Sequence, residues 1–278
     1  MTDANAPADP DVERIQAAVA TGDRPSAPNA FSASLTCGWR ALLKIKHVPE
    51  QLLDVTAIPI MFLLLFTYMF SGALASSPSA YLQELLPGLL AMSVVFITIY
   101  TGITLNDDIG EGIFDRFRTL AIWQPSVIVG ALLCDAVRYM IASMLVLGLG
   151  LVLGFRPDGG VIGVISAVAL LLVFSFSLSW LWTALGFVMR TSESLMMASM
   201  MIMFPLTFVS NAFVNPQTMP GWLETVVDVN PFSHLVTAMR GLMHGTATTG
   251  EIGVVLLMSA GLMIVFGSVT MYLFHREQ

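Results

Sequence analysis

The chain has 278 residues, 56% of them hydrophobic and 11% charged, with a net charge of −7. A soluble chain usually carries about 25% charge, so a mean hydropathy of +0.79 leaves too little polar material to cover a water-facing surface and predicts an integral membrane protein. A pI near 4.9 excludes nucleic acid as a partner, because that needs a basic patch.

Residues 1–30 carry Asp3, Asp9, Asp11, Glu13 and Asp23 among Ala and Pro, with no apolar stretch. They read as a disordered acidic cytoplasmic tail rather than a secretory signal. Over 31–54, Leu35, Trp39, Leu42 and Leu43 recur at helical spacing among Arg40, Lys44 and Lys46. Two structures fit that pattern: a helix lying in the membrane interface, basic side toward anionic headgroups, or a short cytoplasmic helix packed on a partner. Pro49 ends it in either case. Lys44 and Lys46 are the only lysines and neither follows glycine. The phosphate-cradling Gly-x4-Gly-Lys-Ser/Thr loop is therefore absent, and any ATP must be bound by another chain.

A spanning helix needs ~20 mostly apolar residues. Uncharged runs of that size predict six spans within 55–278, at about 55–73, 86–106, 133–155, 161–189, 195–213 and 252–274. After the first, Ser76, Ser77, Pro78 and Ser79 read as loop. Six spans put both termini on one side. With the N-terminus inside, Arg14, Arg24, Arg40, Lys44, Lys46, Arg116, Arg118, Arg138, Arg190 and Arg276 are cytoplasmic, leaving only Arg156 and Arg240 outside. That asymmetry predicts cytoplasmic termini and puts Cys37 and Cys134 toward the reducing side, as small buried thiols. No internal repeat supports an inverted-repeat transporter.

Between the second and third spans, Asp107 or Asp108 suits a helix cap, and Phe114, Phe117 and Leu120 then form an apolar edge beside Asp115, Arg116 and Arg118. Such an edge suits a helix docking into another protein's groove or one resting on the bilayer. Inside the spans, Asp135 and Arg138 are spaced i, i+3, as a structural ion pair or, alternatively, a substrate or proton site. The fifth span offers Met197, Met200, Met201 and Phe204 as a permissive surface for hydrophobic molecules, against ordinary helix packing. The external stretch 214–250 is too polar for a seventh span and is broken by Pro216, Pro220 and Pro231. In it Trp222 and Phe232 suit an interface, and Arg240 either pairs with Glu224 or Asp228 or is solvated. The histidines His47, His234, His244 and His275 are scattered, so no metal site is predicted.

Three stretches carry a resemblance: Gly102-Ile-Thr-Leu-Asn-Asp-Asp108-Ile-Gly-Glu-Gly112-Ile-Phe-Asp115-Arg116-Phe117-Arg118-Thr-Leu120, Leu86-Pro87-Gly88-Leu89-Leu90-Ala91-Met92-Ser93, and Asn211-Ala-Phe213-Val-Asn-Pro216-Gln-Thr218-Met219-Pro220-Gly221-Trp222. In this order, with Leu43-Lys44-Ile45-Lys46-His47 ahead of them, they resemble permeases of the ABC-2 transporter family, in particular the daunorubicin-resistance type of drug-efflux permease. The resemblance covers about residue 31 to the end. It implies an all-α membrane fold with an N-terminal interfacial helix, six transmembrane helices and short re-entrant helices between spans five and six.

The resemblance also implies that segment 107–125, with Asp108, Phe114, Asp115, Arg116, Phe117, Arg118 and Leu120, is the coupling helix seated on a separate ATPase. Phe213, Trp222, Phe232 and Arg240 would belong to a region closing the outer face. Where the family commonly reads Leu-Pro-Ile with a basic residue two on, this chain has Leu120-Ala121-Ile122-Trp123-Gln124, which leaves Gln124 without an assigned ATPase contact.

The function expected is therefore the permease subunit of an ATP-driven exporter of hydrophobic or amphiphilic compounds, anthracycline-like drugs among them, in a bacterial plasma membrane. Its partners would be two copies of an ATPase that binds ATP and Mg, a second permease copy, identical or related, and membrane lipid. The chain would bind no cofactor and catalyse nothing itself. Export of a lipid or polysaccharide carrier is the alternative; an intramembrane enzyme, for which only Ser210 with His234 suggests itself, or a passive channel would be other classes.

Overall fold

The computed structural model describes residues 57, 59–70, 77–112, 126–214 and 219–276. The expected acidic tail, the 31–54 helix and Phe114, Asp115, Arg116, Phe117, Arg118 and Leu120 lie outside the described residues. Among the described residues every regular element is helical. Helix α1 (Pro59–Met69) closes in a π-helical turn over Phe66–Phe70. It is followed by α2 (Pro78–Gly110), α3 (Ser126–Val152), α4 (Gly160–Val188) and α5 (Ser192–Phe208). Two short helices, α6 (Gly221–Val229) and α7 (Pro231–His244), precede α8 (Thr249–Arg276).

Among the described residues, four helices are long and apolar enough to cross a membrane: α2, α3 from Asp135, α4 and α8 to Phe274. Helices α1 and α5 are apolar but shorter. At 1.5 Å per residue the 17 residues of α5 extend ~26 Å, less than the ~30 Å hydrocarbon core.

Several boundaries differ from the sequence expectation, two of them instructively. Ser77, Pro78 and Ser79, expected as loop, start α2 instead. Ser77 is the N-cap, its hydroxyl accepting from the Ala80 N–H at 3.2 Å, and Pro78 takes the first helical position. Serine then proline is a helix-start signal that overrides loop-like composition. At the other end of the molecule, α5 stops at Phe208 and the chain bends through 209–214 rather than staying helical to 213. Asp107 and Asp108, expected as caps of a following helix, lie in the last turn of α2.

Helix α4 is the packing hub, touching α8, α7, α2, α3 and α5. Its contact with α2 brings backbone against backbone: a Cβ on Gly102 would lie 2.5 Å from the Trp182 carbonyl oxygen, and one on Gly186 2.9 Å from that of Gly102. Small residues permit such close crossings where lipid gives helices no hydrophobic reason to associate. The apolar window of α2 is 78% buried and that of α8 only 11%. Leu257 and Ile264 of α8 therefore face outward, as apolar side chains do when the solvent is lipid.

Candidate functional site

A cavity of about 310 Å³ opens between α1, α2 and α5, within the ~300–1,000 Å³ usual for small-molecule sites. Phe62 of α1, Met92 and Phe96 of α2, and Met200, Phe204 and Phe208 of α5 line it, and no charged side chain does. The aromatic rings continue beyond it. Phe204 stacks on Phe208 (5.3 Å between centroids), Phe208 on Phe213 (5.7 Å), Phe213 on Phe66 (4.9 Å) and Phe66 on Phe62 (5.8 Å), each pair within 25° of parallel. Phe96 meets Phe204 edge-on at 6.1 Å. Both arrangements satisfy the ring quadrupoles.

The methionine surface expected from the fifth span divides. Met200 and Phe204 line the cavity together with Met196, whereas Met197 and Met201 are 76% and 81% exposed and face away from it. Helical spacing explains the split: 196, 200 and 204 lie on one stripe, and 197 and 201 on the next.

Toward the end of α2, Asp135 and Arg138 of α3 pair within one turn. Arg138 Nη1 is 3.1 Å from Asp135 Oδ1, close enough for ion pairing though poorly aligned as a hydrogen bond. Both are buried. Thr101 of α2 donates its hydroxyl to Asp135 Oδ2 (2.6 Å). The Tyr139 hydroxyl lies 3.1 Å from that of Thr101 and 2.8 Å from that of Ser179 on α4. One polar cluster thus joins α2, α3 and α4, the pairing a charge needs inside a bilayer. Nearby, the Asn106 side-chain amide donates to the carbonyls of Gly186 and Met189 (2.8 Å each), satisfying orphan carbonyls at the end of α4. Asp108, two residues on, is half-buried.

Near the start of α2, Arg240 of α7 pairs with neither Glu224 nor Asp228. Its Nε is 3.1 Å from the Glu84 carboxylate, and its guanidinium also donates to the carbonyls of Glu84 and Asn211. Burial draws its pKa below the usual arginine value, and the Glu84 carboxylate pushes it back up. Phe232 is fully buried, Phe213 half-buried and Trp222 71% exposed. Phe213 thus joins the ring stack, while Trp222 stands apart on the surface of α6.

The apolar and charged patterns of the sequence did not single out Thr101, Tyr139 or Ser179 as site residues, nor the contacts of Asn106 and of Gln83, whose side-chain amide donates to the Gly154 carbonyl (3.2 Å). Their signal was present only as polar side chains within apolar runs, and their partners lie 34 to 83 residues away.

The sequence pattern of the ABC-2 type transporter family matches residues 33–244. The chain is 49% identical over 264 residues to the daunorubicin resistance ABC transporter permease protein DrrB1 of Streptomyces coeruleorubidus, covering 95% of this chain and 93% of that protein. It is 21% identical over 210 residues to the probable doxorubicin resistance ABC transporter permease protein DrrC of Mycobacterium tuberculosis, covering 75% of each. To the putative transport permease ycf38 of Porphyra purpurea it is 24% identical over 211 residues, covering 74% of this chain and 72% of the relative.

Proposed function

The chain belongs to the ABC-2 type transporter family, and we propose that it is the permease subunit of an ATP-driven drug exporter. The observation that carries this is the uncharged, phenylalanine- and methionine-lined cavity between α1, α2 and α5. Thioethers and aromatic rings repack around varied apolar molecules, which suits a surface that must accept and release them. The 49% identity to a daunorubicin-resistance permease supports an anthracycline-like substrate.

In this reading α1 and α5 span together with the four longer helices, giving six spans with both termini cytoplasmic. The stretch containing α6 and α7 is the re-entrant region that closes the outer face. Two such permeases seat on two copies of a separate ATPase that binds ATP and Mg. The 107–125 segment, with Asp108 at its start, couples them through Phe114, Asp115, Arg116, Phe117, Arg118 and Leu120. The cavity, with Met200 and Phe204, is part of the substrate path, and the Asp135–Arg138 pair is structural.

Inverted membrane vesicles holding the permease and its ATPase test this. ATP-dependent doxorubicin accumulation is expected, and Phe204→Ala in the cavity should reduce it. Arg116→Ala should separate ATP turnover from transport. Accumulation indifferent to ATP would indicate a passive channel, and movement of labelled lipid without movement of drug would indicate a lipid exporter.

A further inference from the structure

Pro87 sits inside α2. Proline has no N–H to donate four residues back, and its ring crowds that carbonyl, so the Gln83 carbonyl lacks its helical partner. Another helix supplies one: His244 Nε2, at the end of α7, lies 3.2 Å from it. A carbonyl only accepts, so the ring carries its proton on Nε2. The His244 Nδ1 is 4.0 Å from the exposed Asp158 carboxylate. One turn earlier on α7, Arg240 Nε and Nη2 donate to the next carbonyl of α2, that of Glu84, at 3.3 and 3.1 Å. Its Nη2 also donates to the Asn211 carbonyl in the bend after α5 (3.1 Å). Gly88, which follows the proline, leaves room for that bend: a Cβ there would lie 2.6 Å from the Ala212 carbonyl oxygen.

The far end of α7 is pinned differently. Asn230 caps the helix by accepting from the Phe232 N–H (2.9 Å). Its amide donates to the Leu206 and Val209 carbonyls at the end of α5 (2.7 and 2.6 Å).

We infer that Pro87, Arg240 and His244 form a releasable latch, in which the carbonyls of Gln83 and Glu84 near the proline dock α7 and hold the outer end of the molecule closed. The inference rests on the exporter reading only for what the closure does. Undocking from the Gln83 carbonyl breaks no bond of the α2 ladder, because Pro87 has already removed the one it would have made. Glu84 is 66% exposed at its side chain, so water is at hand to replace the donors as they leave. Asn230 is then the pivot, and the Arg240–His244 end is the end that moves. These are positioning residues; none of the three lines the cavity.

The assembled permease–ATPase complex in liposomes tests this. Met243 of α7 is fully buried at the end that moves, so Met243→Cys, with Cys37 and Cys134 changed to serine, gives a reporter that loses no hydrogen bond. The measurement is its modification rate by a membrane-impermeant maleimide from the outer side, without nucleotide. Arg240→Ala and His244→Ala should each raise the rate about tenfold, equivalent to ~1.4 kcal/mol of closure. Arg240→Lys and His244→Gln, which keep a donor, should stay nearer the parent.

Pro87→Ala is the variant that a merely structural role would not move in this direction. It restores an N–H that claims the Gln83 carbonyl, so it should quicken labelling while leaving α2 a better helix. Rates within about twofold of the parent in both Pro87→Ala and Arg240→Ala would overturn the latch. Doxorubicin export by the reporter parent is measured separately: if it is absent while labelling still follows the donors, the latch stands and the exporter reading falls.

Discussion

The two polar clusters of this molecule are built in opposite ways. Around Asp135 and Arg138, side chains bond to side chains: Thr101, Tyr139 and Ser179 contribute hydroxyls from three helices, and every group is buried. Around Arg240 and His244, side chains bond mostly to backbone carbonyls, close to the surface. Removing one member of the inner cluster leaves its partners stranded in a medium with no water. Removing one donor at the outer end leaves a carbonyl that water can reach. The inner cluster is therefore suited to holding helices together permanently, and the outer one to being made and broken.

The most severe way to break that contrast is Asp135→Ala. It leaves Arg138 charged and buried without a counter-ion, a loss of about 3–5 kcal/mol, and thermal unfolding of the purified permease should drop accordingly. A melting temperature equal to the parent's would mean that water already reaches the pair and that the two clusters are alike. Tyr139→Phe should cost less, about 1 kcal/mol, because Thr101 keeps its bond to Asp135 and Ser179 its bond to the Ser175 carbonyl, and no charge is stranded. The same melting measurement, ranked beside Asp135→Ala, checks the order.

At the start of α7, Asn230→Ala removes a helix cap as well as two interhelical bonds. About 1 kcal/mol is expected for the cap, seen as faster hydrogen exchange confined to the first turn of α7. The smallest effect should come from Thr237→Val, which removes the acceptor for the Asn211 amide (2.7 Å) in a half-buried place. A change of about 0.5 kcal/mol or less is expected; a larger one would place that contact with the inner cluster in kind.

Much of the helical framework could be read from the apolar runs, since a helix overlaps each of them and four of those helices are long enough to span. What composition could not supply was where a helix begins when a start signal lies inside loop-like residues, as at Ser77 and Pro78. Of the candidate site, the Asp135–Arg138 pair was legible because it is local, a single helical turn. Arg240 was not: the nearby Glu224 and Asp228 were natural guesses, but its carboxylate is Glu84, 156 residues away in the chain. Most of its other acceptors are main-chain carbonyls, which every residue possesses and which no residue type announces. The methionine stripe divides because Met196 to Met201 covers two helix faces and only one meets the cavity.

The backbone-to-backbone crossing of α2 and α4 bears on how this protein can change over generations. Even alanine is too large at Gly102 or Gly186, so neither position has room to drift. The cavity side chains Met196, Met200 and Phe204 lie on α5 and are not among the atoms that a Cβ on either glycine would meet, so a swap among apolar residues there alters the lining without closing the crossing. Variation that retunes what the cavity accepts should therefore accumulate on α5, while the glycines of the crossing stay fixed.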